Sequence, residues 1–133
     1  MGRAIEAALG LALLSMLFIL DGALAKDTIY NGESLNAEEY LENGPFKFIM
    51  QSDCNLVLYR NGDKAMWSSK TARKGVGCMA ILQDTGNLVI LANRGVIWAS
   101  NAYTATKNPF RLVLQADGNV VVYGAPLWAT NTS

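Results

Sequence analysis

Gln51-Ser-Asp-Cys-Asn-Leu-Val-Leu-Tyr59 recurs twice without gaps, as Gln83-Asp-Thr-Gly-Asn-Leu-Val-Ile-Leu91 and Gln115-Ala-Asp-Gly-Asn-Val-Val-Val-Tyr123, at a constant step of 32 residues. An apolar stretch precedes each copy (46–50, 79–82 and 110–114). A tryptophan in a similar setting follows each: Trp67-Ser68-Ser69, Trp98-Ala99-Ser100-Asn101 and Trp128-Ala129-Thr130-Asn131. A unit repeated at fixed period cannot bury its own apolar face, so three copies must share a core. The copies are rich in Val, Ile, Leu and Tyr and are separated by turn residues, such as Asn61-Gly62, Asn93-Arg94-Gly95 and Gly124-Ala125-Pro126. That is the composition of strands and hairpins. No segment after residue 25 sustains a helical period with caps; Ala37 to Leu41 is the nearest candidate and is short. An all-β domain with threefold internal symmetry follows.

The rest of the chain narrows the function. It has 133 residues, with 11 Lys plus Arg, 11 Asp plus Glu and no histidine. The length fits one domain. Without an imidazole there is no Ser-His-Asp triad, no Cys-His dyad and no His-ligated zinc, and two cysteines cannot form a four-thiolate zinc site. The charge balance gives no electrostatic footprint for nucleic acid. Met1 to Ala25 reads as a secretory signal: Arg3 near the start, 14 apolar or small residues from Ala7 to Leu20, then Ala23-Leu24-Ala25 as a cleavage site. The apolar run is shorter than the roughly 17–25 residues of a membrane span, so no membrane insertion is expected. The remaining domain, 26–133, carries 10 basic and 9 acidic residues. In the oxidising compartment that a signal implies, Cys54 and Cys78 are expected to bridge. Secretion and vacuolar delivery begin with the same signal, so the location is extracellular or vacuolar. Asn131-Thr132-Ser133 matches a glycosylation acceptor at the chain end.

Strand alternation suggests the working face. Residues two apart share a face, so Gln51, Asp53, Asn55, Val57 and Tyr59 are read together, opposite Met50, Cys54, Leu56 and Leu58. Gln115, Asp117, Asn119, Val121 and Tyr123 form the same row in the third copy. Asp and Asn are depleted in strands, yet Asn recurs three times and Asp twice, while the neighbouring Ser52, Asp84 and Ala116 share nothing. Amide, carboxylate and phenol groups flanking a small apolar residue suit a sugar ring, with hydroxyls on one edge and C–H groups between. A shallow strand face buries little ligand, so single sites should be weak, near millimolar, and useful only together. Hydrolysis fits poorly, because glycosidases need two carboxyls about 5–10 Å apart and each copy supplies one Asp. Nor does one carboxylate per copy make a calcium cage.

These motifs resemble the monocot mannose-binding (bulb-type, snowdrop-type) lectins, whose signature Gln-x-Asp-x-Asn-x-Val-x-Tyr matches in full at 51–59 and 115–123. The resemblance covers all of 26–133, including the opening Asp27 to Leu35, the cysteine pair and the tryptophans. It implies a β-prism II: three four-stranded antiparallel sheets around a pseudo-threefold axis, with the tryptophans at the centre. It implies a non-enzymatic lectin for terminal α-mannose on glycans and glycoproteins, without metal or cofactor. In such sites Asp and Asn engage the 2-hydroxyl, Gln the 3-hydroxyl and Tyr the 4-hydroxyl, while Val touches ring carbons. It also implies a homodimer or homotetramer that exchanges the strand Trp128 to Ser133. The middle copy departs: Gln83, Asn87 and Val89 remain, but Thr85 replaces Asp and Leu91 replaces Tyr, which implies a degenerate site. Relatives with eroded motifs act as storage or taste-modifying proteins, so a storage or defence protein with vestigial sites is the alternative.

Overall fold

A computed structural model describes residues 26–102, 104, 109–124 and 128–132. The expected leader 1–25, Ala125 and Pro126 of the third turn, and Ser133 lie outside the described residues.

Each repeat forms a three-strand meander. The first is β4 (Phe46–Met50), β5 (Leu56–Arg60) and β6 (Lys64–Ser68). The second is β7 (Met79–Leu82), β8 (Leu88–Ala92) and β9 (Gly95–Ala99), and the third is β10 (Arg111–Leu114), β11 (Val120–Tyr123) and β12 (Trp128–Ala129). The fourth strand of every sheet comes from the N-terminal run. β1 (Thr28–Tyr30) joins the third repeat, β2 (Ser34–Leu35) the second and β3 (Tyr40–Asn43) the first, all antiparallel. The register is equivalent in all three, with Thr28 opposite Val113, Ser34 opposite Ile81 and Tyr40 opposite Ile49. One run of chain thus ties the three sheets together. Ala37 to Leu41 is turn and strand: Glu39 N–H closes a turn on the Asn36 carbonyl at 2.9 Å, and β3 follows. The three four-stranded antiparallel sheets are those of a β-prism II.

Alternation builds the core. Phe46, Phe48 and Met50 of β4 are buried while Lys47 and Ile49 are half-exposed, and the pattern recurs in β7 and β10. Leu41, Phe48, Leu58, Leu82, Ile90, Leu112 and Val122 are wholly buried in one cluster. Packed against it and partly buried, Trp67, Trp98 and Trp128 form a triangle with ring centroids 5.6–5.8 Å apart and planes at 75–77°. This edge-to-face arrangement sets each ring's positive rim on a neighbour's negative face. β12 pairs antiparallel with β11, Val122 opposite Trp128.

Cys54 and Cys78 are joined, 24 residues apart in sequence. Closing a loop of that length removes unfolded-state entropy worth about 3 kcal/mol on the chain-entropy account. Replacing both cysteines by alanine is expected to lower the stability by about that amount. Urea unfolding should show an earlier midpoint than the oxidised parent, and an unchanged midpoint would contradict the expectation.

Candidate functional site

The nine-residue motif is not one strand. Residues 51–55 form the hairpin loop between β4 and β5, and only Leu56 to Tyr59 are strand. Cys54 N–H donates to the Gln51 carbonyl at 3.0 Å and Gln51 N–H to the Asn55 carbonyl at 2.9 Å. The same closure recurs at Gln83/Gly86/Asn87 and Gln115/Gly118/Asn119. The fourth loop residue is left-handed in each copy: Cys54 at φ 75°, Gly86 and Gly118 at 88°. Glycine is free there, whereas Cys54 carries a side chain in that conformation and uses it for the disulfide. The loop nevertheless brings Gln51 and Asp53 beside Tyr59, which the strand carries.

In the first copy the Tyr59 hydroxyl donates to Gln51 Oε1 at 2.6 Å. Gln51 Nε2 donates to the Asp53 carboxylate at 3.2 and 3.3 Å. Asp53 Oδ1 also accepts Asn55 N–H at 2.9 Å. Three side chains are therefore locked together before any ligand arrives, on the wall of an open cleft of ≈ 530 Å³. In the third copy Asp117 Oδ1 accepts Asn119 N–H at 2.9 Å, and Gln115 Nε2 donates to Tyr123 Oη. The Gln115 amide faces its tyrosine with the group opposite to that used by Gln51; a half-turn about Cγ–Cδ exchanges the two.

Asn55 has a second task, one that the row pattern does not reveal. Its Oδ1 accepts the Ser69 hydroxyl at 3.2 Å and Thr71 N–H at 3.1 Å, and Ser69 Oγ accepts Leu56 N–H at 3.0 Å. The equivalent bridge runs Asn87–Ser100–Leu88 in the second copy and Asn119–Thr130–Val120 in the third. The hydroxyl two residues after each tryptophan thus clamps the loop, and Asn is its acceptor. Recurrence of Asn in all three copies follows from folding alone, because an unpaired buried hydroxyl or amide is costly. Only the Nδ2 donor of Asn55 is left for a ligand. Val57, Val89 and Val121 are 2%, 2% and 5% exposed and form the floor beneath the polar groups of each face.

The middle copy keeps this framework and loses the chemistry. Gln83, Asn87 and Val89 hold the same loop, but Thr85 is exposed without a carboxylate and Leu91 offers no hydroxyl. Asp84 is exposed and approaches Asn31 Nδ2 at 3.5 Å. Asp and Tyr are the positions that changed, and the loop closes without them.

One carboxylate was not legible in the repeats. Glu38, in the turn before β3, lines the cleft with Gln51, Ser52, Asp53 and Tyr59. Its Oε2 accepts Ser52 N–H at 2.7 Å and Ser52 Oγ–H at 2.8 Å. The Ser52 hydroxyl and then its amide hold the Glu38 carboxyl below the usual carboxylate range, against slight desolvation and the charge of Asp53. A general acid needs the opposite shift, so Glu38 is not poised as one.

A mannose-specific lectin of Aloe arborescens is 49% identical to this chain over 106 residues, which span 78% of this chain and 95% of the relative. The chain belongs to the monocot mannose-binding lectin family. Two solved lectins of that family superpose along nearly their whole length. Monomeric monocot mannose-binding lectins from Gastrodia elata match with a TM-score of 0.77 at 41% identity, covering 81% of this chain and 99% of that one. The snowdrop (Galanthus nivalis) mannose-specific agglutinin, complexed with methyl-α-D-mannoside, matches with a TM-score of 0.71 at 42% identity, covering 81% and 98%. No protein-family model matches the chain. The match rests on these whole-domain similarities and on the lectin signature present twice in full.

Proposed function

We propose that this chain is a non-enzymatic lectin that binds terminal α-mannose at two sites, Gln51/Asp53/Asn55/Val57/Tyr59 and Gln115/Asp117/Asn119/Val121/Tyr123. The observation that carries the reading is the pre-bonded Gln–Asp–Tyr set on an open outward face. Such a set presents acceptors and donors at fixed spacing, which lowers the ordering cost of gripping adjacent hydroxyls. The relatives' specificity for mannose supports the choice of sugar. Neither metal nor cofactor enters the scheme. Valence comes from the repeats, and assembly into a homodimer or homotetramer would add to it. Residues 1–25 are assigned to secretory targeting, with the mature domain 26–133 extracellular or vacuolar. Among the described residues no helix is long and apolar enough to cross a membrane.

Calorimetric titration with methyl α-mannoside tests the reading: about two sugars bound per chain, each near the millimolar end. Thr85→Asp with Leu91→Tyr is expected to raise the count to three, because Gln83 and Asn87 already hold the loop in the working shape. A count that stays at two would mean that the middle loop is misplaced for binding. The eroded middle copy favours one alternative, a storage or defence protein of the same fold. Folded protein giving no heat at tens of millimolar mannoside would select it.

A further inference from the structure

We propose that Glu38 forms a subsite for a second hexose at the first-repeat site, one that the third-repeat site lacks. The proposal rests on the lectin reading above. Its starting point is the backbone. Glu38 has φ 70°, the left-handed region that side-chain-bearing residues avoid. By strand register the corresponding residue of the second sheet is Gly32, at φ 90°. Gly32 N–H donates to the Leu82 carbonyl at 2.7 Å just as Glu38 N–H donates to the Met50 carbonyl at 2.6 Å. The fold therefore asks for a left-handed residue here and is satisfied by glycine. A glutamate adds strain that the backbone does not require, and its side chain accounts for its presence.

That side chain does two things. One oxygen anchors Ser52, the loop residue between Gln51 and Asp53, through both its amide and its hydroxyl. The other, Oε1, has no hydrogen-bond partner among the described residues while Glu38 lines the cleft. The cleft is ≈ 530 Å³. That is larger than the low end, about 300 Å³, of known ligand sites, and the cleft is open to solvent. Glu38 and Lys47 line the same cleft as Gln51, Asp53 and Tyr59, so a hexose held by those three would have Glu38 within the same cleft. Lys47 Nζ lies over the Tyr40 ring, 4.2 Å from its centroid. An ionised carboxylate oxygen accepts a sugar hydroxyl in a charge-assisted bond. At the third-repeat site the register puts Lys26 in the place of Glu38, and Ala116 stands in the place of Ser52. The carboxylate is absent there, and Ala116 keeps the backbone amide but not the hydroxyl that would anchor one.

The test separates the sites with Asp117→Ala, which leaves the first-repeat site alone, and compares methyl α-mannoside with an α-linked mannobiose by calorimetry. The disaccharide is expected to bind about tenfold more tightly, the increment of one charge-assisted bond. Glu38→Gly, which suits the left-handed backbone, should bring that ratio down to about one; a merely structural role would weaken both sugars alike and leave the ratio standing. In an Asp53→Ala background, where only the third-repeat site works, Glu38→Gly should not change the ratio. Mannoside binding with no disaccharide advantage, or an advantage that survives Glu38→Gly, overturns the subsite alone. No binding of either sugar overturns the lectin reading and the subsite with it.

Discussion

Trp67→Ala will destabilise the domain by about 3–5 kcal/mol, a large share of the roughly 5–15 kcal/mol that holds a domain of this size. Trp67 touches three aromatic rings: Phe48 at 6.1 Å and both other tryptophans at 5.6 Å. It also sits opposite Leu58 in the β5–β6 register, just beside the bulge that follows. Truncation removes the partial burial of the indole and its two edge-to-face contacts with Trp98 and Trp128, which come from the other two sheets. The surrounding side chains belong to three different sheets fixed by their own ladders, so collapse into the void is limited and the cavity cost stays. The melting temperature should fall by roughly 15–25 °C. Trp67→Phe, which keeps a ring, should lose less than half as much. A fall of under about 5 °C for the alanine variant would mean that the triangle is not the centre of stability.

The architecture was readable because its period is strict. Three gapless copies at a step of 32 residues, each with a tryptophan, specify three sheets and a common axis. The fourth strand of each sheet was not readable. β1, β2 and β3 are two to four residues long and pair with partners up to 85 positions away, as Thr28 does with Val113. So little chain carries no periodicity of its own; its place is set by the sheet edges it completes.

The sites were legible for a partly different reason than alternation suggests. Gln51, Asp53 and Asn55 share a side because a closed loop turns them there, not because they alternate along a strand. Asn recurs because it accepts the clamp hydroxyl of Ser69, Ser100 or Thr130, and the signal for that clamp was present as a hydroxyl two residues after every tryptophan. What distinguishes the first and third copies from the middle one is therefore Asp and Tyr. Glu38 escaped notice because it lies outside the repeats, on the turn that only the folded chain carries to Ser52.

Asp53→Ala with Asp117→Ala is expected to abolish mannoside binding while leaving the fold intact. Each carboxylate offers charge-assisted acceptance of a sugar hydroxyl, worth about 1.5–3 kcal/mol. Removing it lowers affinity by roughly tenfold to a hundredfold at each site. Starting near millimolar, both sites leave the range of any practical titration. The structural loss is small, because each Asp is exposed: Asp117 Oδ1 accepts a loop amide at 2.9 Å, and Asp53 Oδ1 accepts a loop amide at 2.9 Å and the exposed Gln51 Nε2 at 3.2 Å. Unfolding should shift by about 1 kcal/mol per loop, and the near-ultraviolet circular dichroism of the tryptophans should not change. Asp→Asn at both positions separates charge from shape: the amide oxygen still accepts the loop N–H, so stability returns, while binding stays weak if ionisation is what grips the sugar. Binding that survives the double alanine change would remove the carboxylates from the mechanism. The single variants carry a further consequence. A chain with one site cannot bridge two glycans by itself, so either single change should end agglutination if the protein acts as a monomer, as the Gastrodia elata lectins are described. Agglutination that persists with one site per chain would instead locate the valence in assembly.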